Sequence, residues 1–350
     1  MKKIILAIFT IMLTLAIFGY GKTASDSGGG SSGGGGPAPS AVKFIIRTND
    51  TGNFTTLDND GNVIGTIAVP AEYTALSNPI ADHDSFMYIY KDTNNDYHLQ
   101  LGTFDSNEQI ELLTGNASTV WGTDVDNKFS GPNHNFFVRG DNGYDSSICD
   151  TLQMYHPFNF FYVSDWFGAD WLDEDTVIYA DFDSIKKINK NGSNVTSYGK
   201  SLNTNHAIAV SPDKSKVICG NSSNSGVQIY SLSSDFSTLT DYQAVVYPVE
   251  VSGGRITRAL WIDNNTAVVV IKANGGAMYL YRIDSSPTIT EVTPVVDNGY
   301  YYNLAYSVSD QRLYFHNAIG GQLYSVPLSG GARTLVYSGD SGVDGFALRN

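Results

Sequence analysis

Short runs of alternating apolar and polar residues recur along most of the chain, separated by turn-forming Asp, Asn, Gly and Ser. Clear examples are GVQIYSL from Gly226, GAMYLYRID from Gly276 and GQLYSVPL from Gly321. Alternation with a period of two is typical of β-strands, because successive side chains of a strand lie on opposite faces. The runs lack the 3.6-residue period of helices, so the pattern predicts an all-β protein.

A repeated unit underlies these runs. In five segments an aspartate stands three or four residues before the first apolar residue of a strand-like run: Asp82 before Phe86, Asp173 before Val177, Asp213 before Val217, Asp263 before Ala267 and Asp310 before Leu313. An aspartate at this position caps the backbone amides of a hairpin turn. A unit of four short strands that returns every ~45 residues is the sequence pattern of a β-propeller blade.

The phase of the repeat predicts about seven blades, with six as the alternative because the unit over residues 117–165 is weak. Inner strands are expected near Tyr73, Ala117, Phe167, Ala207, Thr257, Asn303 and Val343. The chain ends on one strand-like run, GVDGFALRN, and residues 41–350 begin with three: KFIIRT, NFTTLD and NVIGTI. We therefore predict a β-propeller of four-stranded antiparallel blades in which the two termini share one blade, so that no sheet edge stays open there.

Two kinds of known repeat resemble these units. SPDKSKVI from Ser211 resembles the SPDG-type hairpin of WD-like repeats, such as those of periplasmic TolB-type proteins, with Lys214 at the usual glycine position. TVIYADFDSIKKINKNGSNV from Thr176 and RLYFHNAIGGQLYSVPLSGGA from Arg312 are similar to YWTD-type blades. The resemblance covers most of residues 41–350 and implies a secreted bacterial β-propeller.

The N-terminal segment predicts export. Residues 1–21 combine two lysines after Met1, the apolar run Ile4–Phe18 and the small residues Gly19 and Gly21, as a signal peptide does. Residues 22–40 are rich in Gly and Ser and predict a disordered linker. We therefore expect the propeller outside the cytoplasm: in the periplasm, on the outer surface or secreted. Contact with a membrane is expected only through an N-terminal anchor, if the leader is retained.

The leader also resembles that of a bacterial lipoprotein, with one departure. Tyr20 occupies the position at which the lipid-accepting cysteine of a lipobox stands. Because the lipid is attached to that thiol, the resemblance supports an envelope or secreted protein and leaves lipid attachment in doubt.

Charge narrows the choice of partner. The chain has 21 Lys and Arg against 35 Asp and Glu, a formal net charge of −14. Affinity for nucleic acid depends on clustered Lys and Arg that neutralise phosphates, so no nucleic-acid partner is expected. The two cysteines, Cys149 and Cys219, lie in strand-like runs and predict buried free thiols, with a disulfide as the alternative.

Few short motifs indicate chemistry. The loops that start at Asp58 and Asp92 look like fragments of calcium sites, but hairpin turns account for both sequences. The six histidines fall in different units without metal-ligand spacing. We predict no catalytic residue, metal site or cofactor.

The repeat also locates a candidate binding site. Propeller ligands are expected at the mouth of the central channel, where the inner strands begin, twelve residues before the first apolar residue of each second strand. This count gives the polar residues Thr74, Asp165, Asn205, Arg255 and Tyr301. Two further polar residues are assigned to the set: His206, next to Asn205, and Asp344 in the last strand-like run. Such a ring suits a small polar ligand or a protein segment. The alternative is that residues at a wet channel entrance are polar without binding anything.

These features predict a binding or scaffold module for an envelope protein or a small polar ligand. One alternative is a propeller-type lyase or hydrolase that acts on a glycan or lactone, with Asp165, Asn205, His206 and Arg255 as its polar set. A second is a surface protein that serves display alone. Whether the protein is an enzyme stays open, because one propeller fold supports both binding and catalysis.

Overall fold

The structure is a computed structural model that describes residues 42–350 except for short segments. The undescribed segments are residues 1–41, 49–52, 71–72, 77–78, 83, 116–123, 126–135, 140–145, 150–153, 159–167, 182–183, 202–206, 221–225, 249–250, 274–277, 285–288, 297–303, 318–320 and 340–341. The predicted signal peptide and linker lie outside the described residues and stay predictions. Within the described part of the chain, no helix is long and apolar enough to cross a membrane.

The described residues form strands joined by short turns. In chain order these strands are β1 (Phe44–Thr48), β2 (Asn53–Leu57), β3 (Val63–Ala68), β4 (Tyr73–Leu76), β5 (Ile80–Asp82), β6 (Ser85–Asp92), β7 (Tyr97–Thr103), β8 (Ser106–Gly115), β9 (Asp124–Val125), β10 (Phe136–Arg139), β11 (Ser146–Cys149), β12 (Met154–Phe158), β13 (Ala169–Trp171), β14 (Thr176–Asp181), β15 (Ser184–Asn189), β16 (Thr196–Ser201), β17 (Ile208–Val210), β18 (Lys216–Gly220), β19 (Gly226–Leu232), β20 (Leu239–Val246), β21 (Arg255–Trp261), β22 (Thr266–Lys272), β23 (Met278–Asp284), β24 (Ile289–Val296), β25 (Leu304–Ser307), β26 (Arg312–Asn317), β27 (Gln322–Pro327), β28 (Thr334–Ser338) and β29 (Val343–Leu348).

Seven antiparallel sheets are present among the described strands, as the repeat predicts. Blade 1 consists of β4 to β8, blade 2 of β9 to β12, blade 3 of β13 to β16, blade 4 of β17 to β20, blade 5 of β21 to β24 and blade 6 of β25 to β28. The seventh sheet has the order β29, β1, β2, β3 and is called the shared blade. Each blade is a meander in which consecutive strands pair, the arrangement that short hairpin turns produce.

The shared blade confirms the predicted pairing of the two ends of the chain. Strand β29 lies antiparallel to β1, with Phe44 opposite Leu348 and Ile46 opposite Phe346. A shift of register follows Arg47, at the end of β1. The N-terminal and C-terminal strands thus satisfy each other's backbone hydrogen bonds, as edge strands in a stable sheet must.

One inner strand differs from the sequence prediction. In blade 1 the inner strand is split into β4 and β5, and both pieces pair with β6. The inner strand expected near Ala117 lies outside the described residues, and the first described strand of blade 2 is β9, from Asp124 to Val125.

Aspartates cap the turns between first and second strands. Asp213 Oδ1 accepts a hydrogen bond from the amide of Ser215 at 3.1 Å, and Asp263 Oδ1 accepts one from the amide of Asn265 at 2.7 Å. Asp173 accepts in the same way from the amide two residues later. The repeated aspartate is therefore a turn residue, as its position in the sequence predicts.

Lys214 follows one of these aspartates in the left-handed backbone region, with φ of 59°. Glycine adopts this conformation without steric cost, which explains its usual presence at this position. Lys214 has a compensating contact, because its Nζ donates to the carbonyl oxygen of Trp171 at 2.9 Å and so connects blade 4 to blade 3.

The hydrophobic core lies between the faces of neighbouring blades. Between blades 4 and 5, the indole Nε1 of Trp261 donates to the carbonyl oxygen of Ala209 at 3.0 Å. Between the shared blade and blade 1, the rings of Phe54 and Tyr88 meet edge to face with centroids 4.8 Å apart. Trp171 is fully buried. Large flat side chains fill the space between facing sheets.

The calcium-like loops are hairpin turns. Asp58 Oδ1 accepts hydrogen bonds from the amides of Asp60 and Asn62 at 2.9 and 2.8 Å. Asp92 Oδ1 caps its turn through the amides of Asn94 and Asp96. Among the described residues no group of three or more His, Cys, Asp or Glu is arranged to hold a metal ion.

The prediction of a buried free thiol is confirmed for Cys219. Its side chain is fully buried and forms no disulfide, and burial raises the pKa of the thiol. The side chain of Cys149 lies outside the described set.

Candidate functional site

In blades 3 to 6 the first strand lies closest to the centre. The first strands of successive blades contact each other: β13 contacts β17, β17 contacts β21, and β21 contacts β25. Because paired strands are antiparallel, the start of each first strand lies beside the end of the second strand. These ends together form the channel mouth.

Three of the predicted mouth residues are in described strands. Arg255 is the first residue of β21, Thr74 is the second residue of β4, and Asp344 is the second residue of β29. All three therefore lie where their strands enter the sheet, as the repeat count predicts. The other four lie outside the described residues, in the segments that precede β13, β17 and β25: Asp165, Asn205, His206 and Tyr301.

Blade 5 contributes two cations to the mouth. Arg255 and Lys272 are direct register partners at the start of β21 and the end of β22. Opposed residues of an antiparallel pair have their Cβ atoms about 5 Å apart, so both side chains lie at one place on the sheet. Both residues also make interactions within the protein, and their register places a guanidinium group and an ammonium group side by side at this entrance.

A third cation lies deeper on the same strand. A shift of register between Ile256 and Arg258 marks a bulge in β21. Arg258 beyond this bulge is only 7% exposed, and its Nη1 donates to the carbonyl oxygen of Thr257 at 3.4 Å. Bulges redirect side chains and are common at strand ends beside binding sites. Blade 5 therefore carries positive charge both at the mouth and beneath it.

His316, on the second strand of blade 6, faces this charge. The side chain is fully buried, and this burial, assisted by the positive charge of Arg258, lowers the pKa of His316 to about 3. The imidazole is therefore neutral at physiological pH and offers one donor and one acceptor nitrogen.

The shared blade supplies charges of both signs. Arg47 Nη2 lies 3.2 Å from Asp344 Oδ2, and the two side chains are 26% and 37% exposed. The predicted mouth residue Asp344 is thus compensated by an arginine of the adjacent strand. The mouth combines an ion pair on the shared blade with a cation pair on blade 5.

Sequence reasoning missed Lys272, Arg258 and His316. Lys272 could have been predicted from the sequence, because a hairpin with its turn at Asp263 places Lys272 opposite Arg255. Arg258 could not be assigned, because the bulge breaks the alternation that decides which face a strand residue occupies. The position of His316 beside Arg258 depends on contact between two blades.

No protein-family model and no curated protein matches the chain. Solved structures do match. A putative 6-phosphogluconolactonase from Bacteroides uniformis aligns with a TM-score of 0.58 at 11% identity, over 87% of this chain and 98% of that chain. A functionally unknown protein from Desulfotomaculum acetoxidans aligns with a TM-score of 0.57 at 12% identity, over 88% and 99%. The chain is a β-propeller.

An oligogalacturonate lyase, solved in complex with manganese, is also similar, with a TM-score of 0.54 at 14% identity over 79% of this chain and 82% of that chain. At such identities the similarity shows the fold alone. The resemblance to TolB-type and YWTD-type repeats stays a prediction.

Proposed function

We propose that the protein is an exported binding or scaffold module that recognises an envelope protein or a small polar ligand at the channel mouth. The observation that carries the proposal is the register pair of Arg255 and Lys272 at the entrance, with Arg258 beneath it. All seven predicted mouth residues belong to the same proposed site. The proposed location is extracytoplasmic: the periplasm, the outer surface or the medium.

The charge pattern favours one class of ligand. Guanidinium and ammonium groups donate hydrogen bonds and accept none, so their partners carry acceptors. Carboxylates and phosphates are the strongest acceptors for such donors. We expect a ligand with an anionic group, either a small acid or the acidic side chains of a protein segment. The acidic remainder of the surface opposes binding of such groups elsewhere.

A thermal-shift screen of the purified protein tests this proposal. The probes are sugar acids, sugar phosphates, acidic peptides and divalent metals, each applied to the native protein and to Arg255→Ala and Lys272→Ala. A ligand at a hundred times its Kd stabilises by about 2.7 kcal/mol, which shifts the melting temperature by roughly 5 °C. We expect a shift with at least one anionic class and its loss in both variants.

Arg282→Ala is the matched control. Arg282 lies on β23 of the same blade, two strands from the channel, where it pairs with Asp284 at 3.0 Å. A ligand that binds at the mouth stabilises Arg282→Ala as well as the native protein. Equal loss of the shift in all three variants, or no shift with any probe, would contradict the proposal.

The enzyme alternative is a lyase or hydrolase that acts on a glycan or lactone. It is supported at the level of fold only, since a putative lactonase and a lyase share the architecture. Incubation of any stabilising ligand with the protein, followed by mass spectrometry of the products, separates turnover from binding.

A further inference from the structure

The last strand of each blade is an edge strand of its sheet. Edge strands of natural proteins commonly contain charged residues or proline, which oppose contact with another chain. Strands β3 (VIGTIA) and β28 (TLVYS) contain neither. Each of the other last strands contains at least one such residue: Glu108 and Glu111 in β8, Pro157 in β12, Lys200 in β16, Asp241 in β20, and Glu291 and Pro294 in β24.

Strands β3 and β28 belong to neighbouring blades. The turn before β3 approaches β28 so closely that a Cβ atom added at Gly61 would lie 2.0 Å from the carbonyl oxygen of Val336. Leu57 of β2 and Leu323 of β27, on the strands next to them, pack in one hydrophobic cluster. The two strands therefore lie side by side and form one surface, called the edge pair.

The edge pair exposes apolar side chains. Val63 and Ile64 of β3 are 56% and 46% exposed, and Leu335 of β28 is 50% exposed. Val63 is the register partner of Leu57 and so lies on the side of its sheet that faces blade 6. Val336 is the extra residue of a bulge in β28 and packs against the same cluster. Adjoining exposed apolar residues are typical of protein–protein interaction sites.

Bulges in both strands decide how a partner makes contact. Ile64 is the extra residue of β3, since Thr56 pairs with Gly65 and Leu57 pairs with Val63. A bulge interrupts the regular row of backbone groups that a further strand would need. We therefore expect contact through side chains rather than addition of a strand to either sheet.

Charges of opposite sign lie beside the two strands. Asp58 and Asp60 belong to the turn that leads into β3. Arg333 immediately precedes β28, and Arg312 Nη2 donates to Thr334 Oγ1 at the start of β28, at 3.0 Å. A two-fold axis parallel to the strands sets β3 of one copy opposite β28 of a second copy, and the reverse. The acidic turn of each copy then approaches the arginines of the other.

We propose that the edge pair is the contact surface for a second copy of this chain. With a net charge of −14, two copies repel each other, so contact is favoured only where the surface is uncharged or carries complementary signs. The edge pair meets both conditions. The two-fold axis leaves both channel mouths open on the same side of the dimer, so one target surface can engage two mouths. The inference does not depend on the ligand proposed for the mouth.

The dimer should be weak. Strands of five and six residues are roughly 17–20 Å long, so the edge pair offers on the order of 400 Å² per copy. This is about half of what each partner of a stable complex contributes. We expect a reversible dimer with a dissociation constant on the order of 100 µM.

Sedimentation velocity of the purified protein, from about 10 µM to about 1 mM, tests the proposal. Ile64→Lys and Leu335→Lys each place a cation in the apolar contact and should weaken dimerisation at least about tenfold. Ile110→Lys is the matched control, because Ile110 is 63% exposed on β8, the last strand of blade 1. It should leave the equilibrium unchanged. All variants should keep the native melting temperature, because the replaced side chains are exposed.

A charge reversal separates this dimer from general self-association. Asp60→Lys lowers the net negative charge and would favour non-specific contact, but in the proposed dimer it approaches arginines and should weaken dimerisation about threefold. Glu174→Lys makes the same change of charge in an exposed turn of blade 3 and should not weaken it. A native protein that stays monomeric up to about 1 mM would overturn the proposal. Dimerisation that is unchanged in Ile64→Lys or in Leu335→Lys, or equally weakened in Ile110→Lys or Glu174→Lys, would also overturn it.

Discussion

The ion pair between Lys43 and Asp310 holds the shared blade against blade 6, and we expect it to stabilise the joined ends of the chain. Lys43 Nζ lies 3.4 Å from Asp310 Oδ1, and the side chains are only 14% and 18% exposed. The same Nζ donates to Ser307 Oγ at 3.0 Å, and Tyr314 Oη donates to Asp310 Oδ2 at 2.5 Å. Asp310 is thus held by hydroxyl donors and by a cation from another blade.

The size of the effect follows from the pKa of Asp310. Burial opposes ionisation of this carboxyl group, but hydrogen bonds from Ser307, Ser309 and Tyr314 and the charge of Lys43 outweigh it and lower the pKa to about 2. The difference from the ordinary value of 3.8 corresponds to about 2.5 kcal/mol at most. Since water reaches part of the pair, we expect Asp310→Asn to cost about 1–2 kcal/mol of unfolding free energy at pH 7.

The pH dependence distinguishes this explanation from a general packing defect. A carboxylate whose folded-state pKa is lowered stabilises the fold above its unfolded pKa, and the effect is lost as pH falls through the folded pKa. The stability difference between native protein and Asp310→Asn should therefore be constant above pH 5, shrink as the pH falls from 5 to 2, and vanish only below pH 2. Urea titrations followed by tryptophan fluorescence at several pH values measure it, because urea is uncharged and does not screen the ion pair.

A matched control is the exposed ion pair of Lys190 and Asp175, whose atoms lie 3.0 Å apart while the Asp175 side chain is 74% exposed. Asp175→Asn should cost less than about 0.5 kcal/mol of unfolding free energy at pH 7. The reasoning is refuted if Asp310→Asn is as stable as the native protein at pH 7, or if its deficit persists unchanged at pH 2.

Three further outcomes are expected. Arg349 donates hydrogen bonds from both Nη groups to the carboxylate of Asp105, at 2.7 and 2.8 Å. Arg349→Lys loses this planar two-point contact and should lower the melting temperature by about 2 °C. An unchanged melting temperature would contradict this prediction. Gln311 lies in the left-handed backbone region, with φ of 53°. In urea unfolding, Gln311→Gly should therefore be neutral or stabilise the protein by up to about 1 kcal/mol. Gln311→Val should destabilise it by more than about 1 kcal/mol, because a β-branched residue is strained in this region. Cys219 is buried, and burial raises the pKa of its thiol. We expect it to resist thiol reagents at pH 8 until the protein unfolds, which peptide mapping of the labelled protein measures. Labelling of Cys219 in the native state would contradict its burial.

The fold was largely predictable because its signals are local. Alternation over five to eight residues selects strands, and an aspartate at the start of a turn fixes the hairpin. Where a local signal is broken, prediction fails: the bulge before Arg258 conceals the face that this residue occupies.

The candidate sites were less predictable. Thr74, Arg255 and Asp344 lie at strand entries. The repeat places the first two there, twelve residues before Phe86 and Ala267, the first apolar residues of the second strands. The repeat does not identify Lys272 as a mouth residue, because Lys272 lies there only as the cross-strand register partner of Arg255.

The sequence alone determined the class of fold, the approximate number of blades and the sharing of one blade by the termini, since these depend on period, turn residues and the count of strands at each end. Only the tertiary structure decided which charges meet. Lys43 and Asp310 are 267 positions apart, and Lys200 and Asp241 belong to different blades. Contacts between blades depend on how two sheets pack and on single-residue bulges, and no short-range pattern along the chain encodes either.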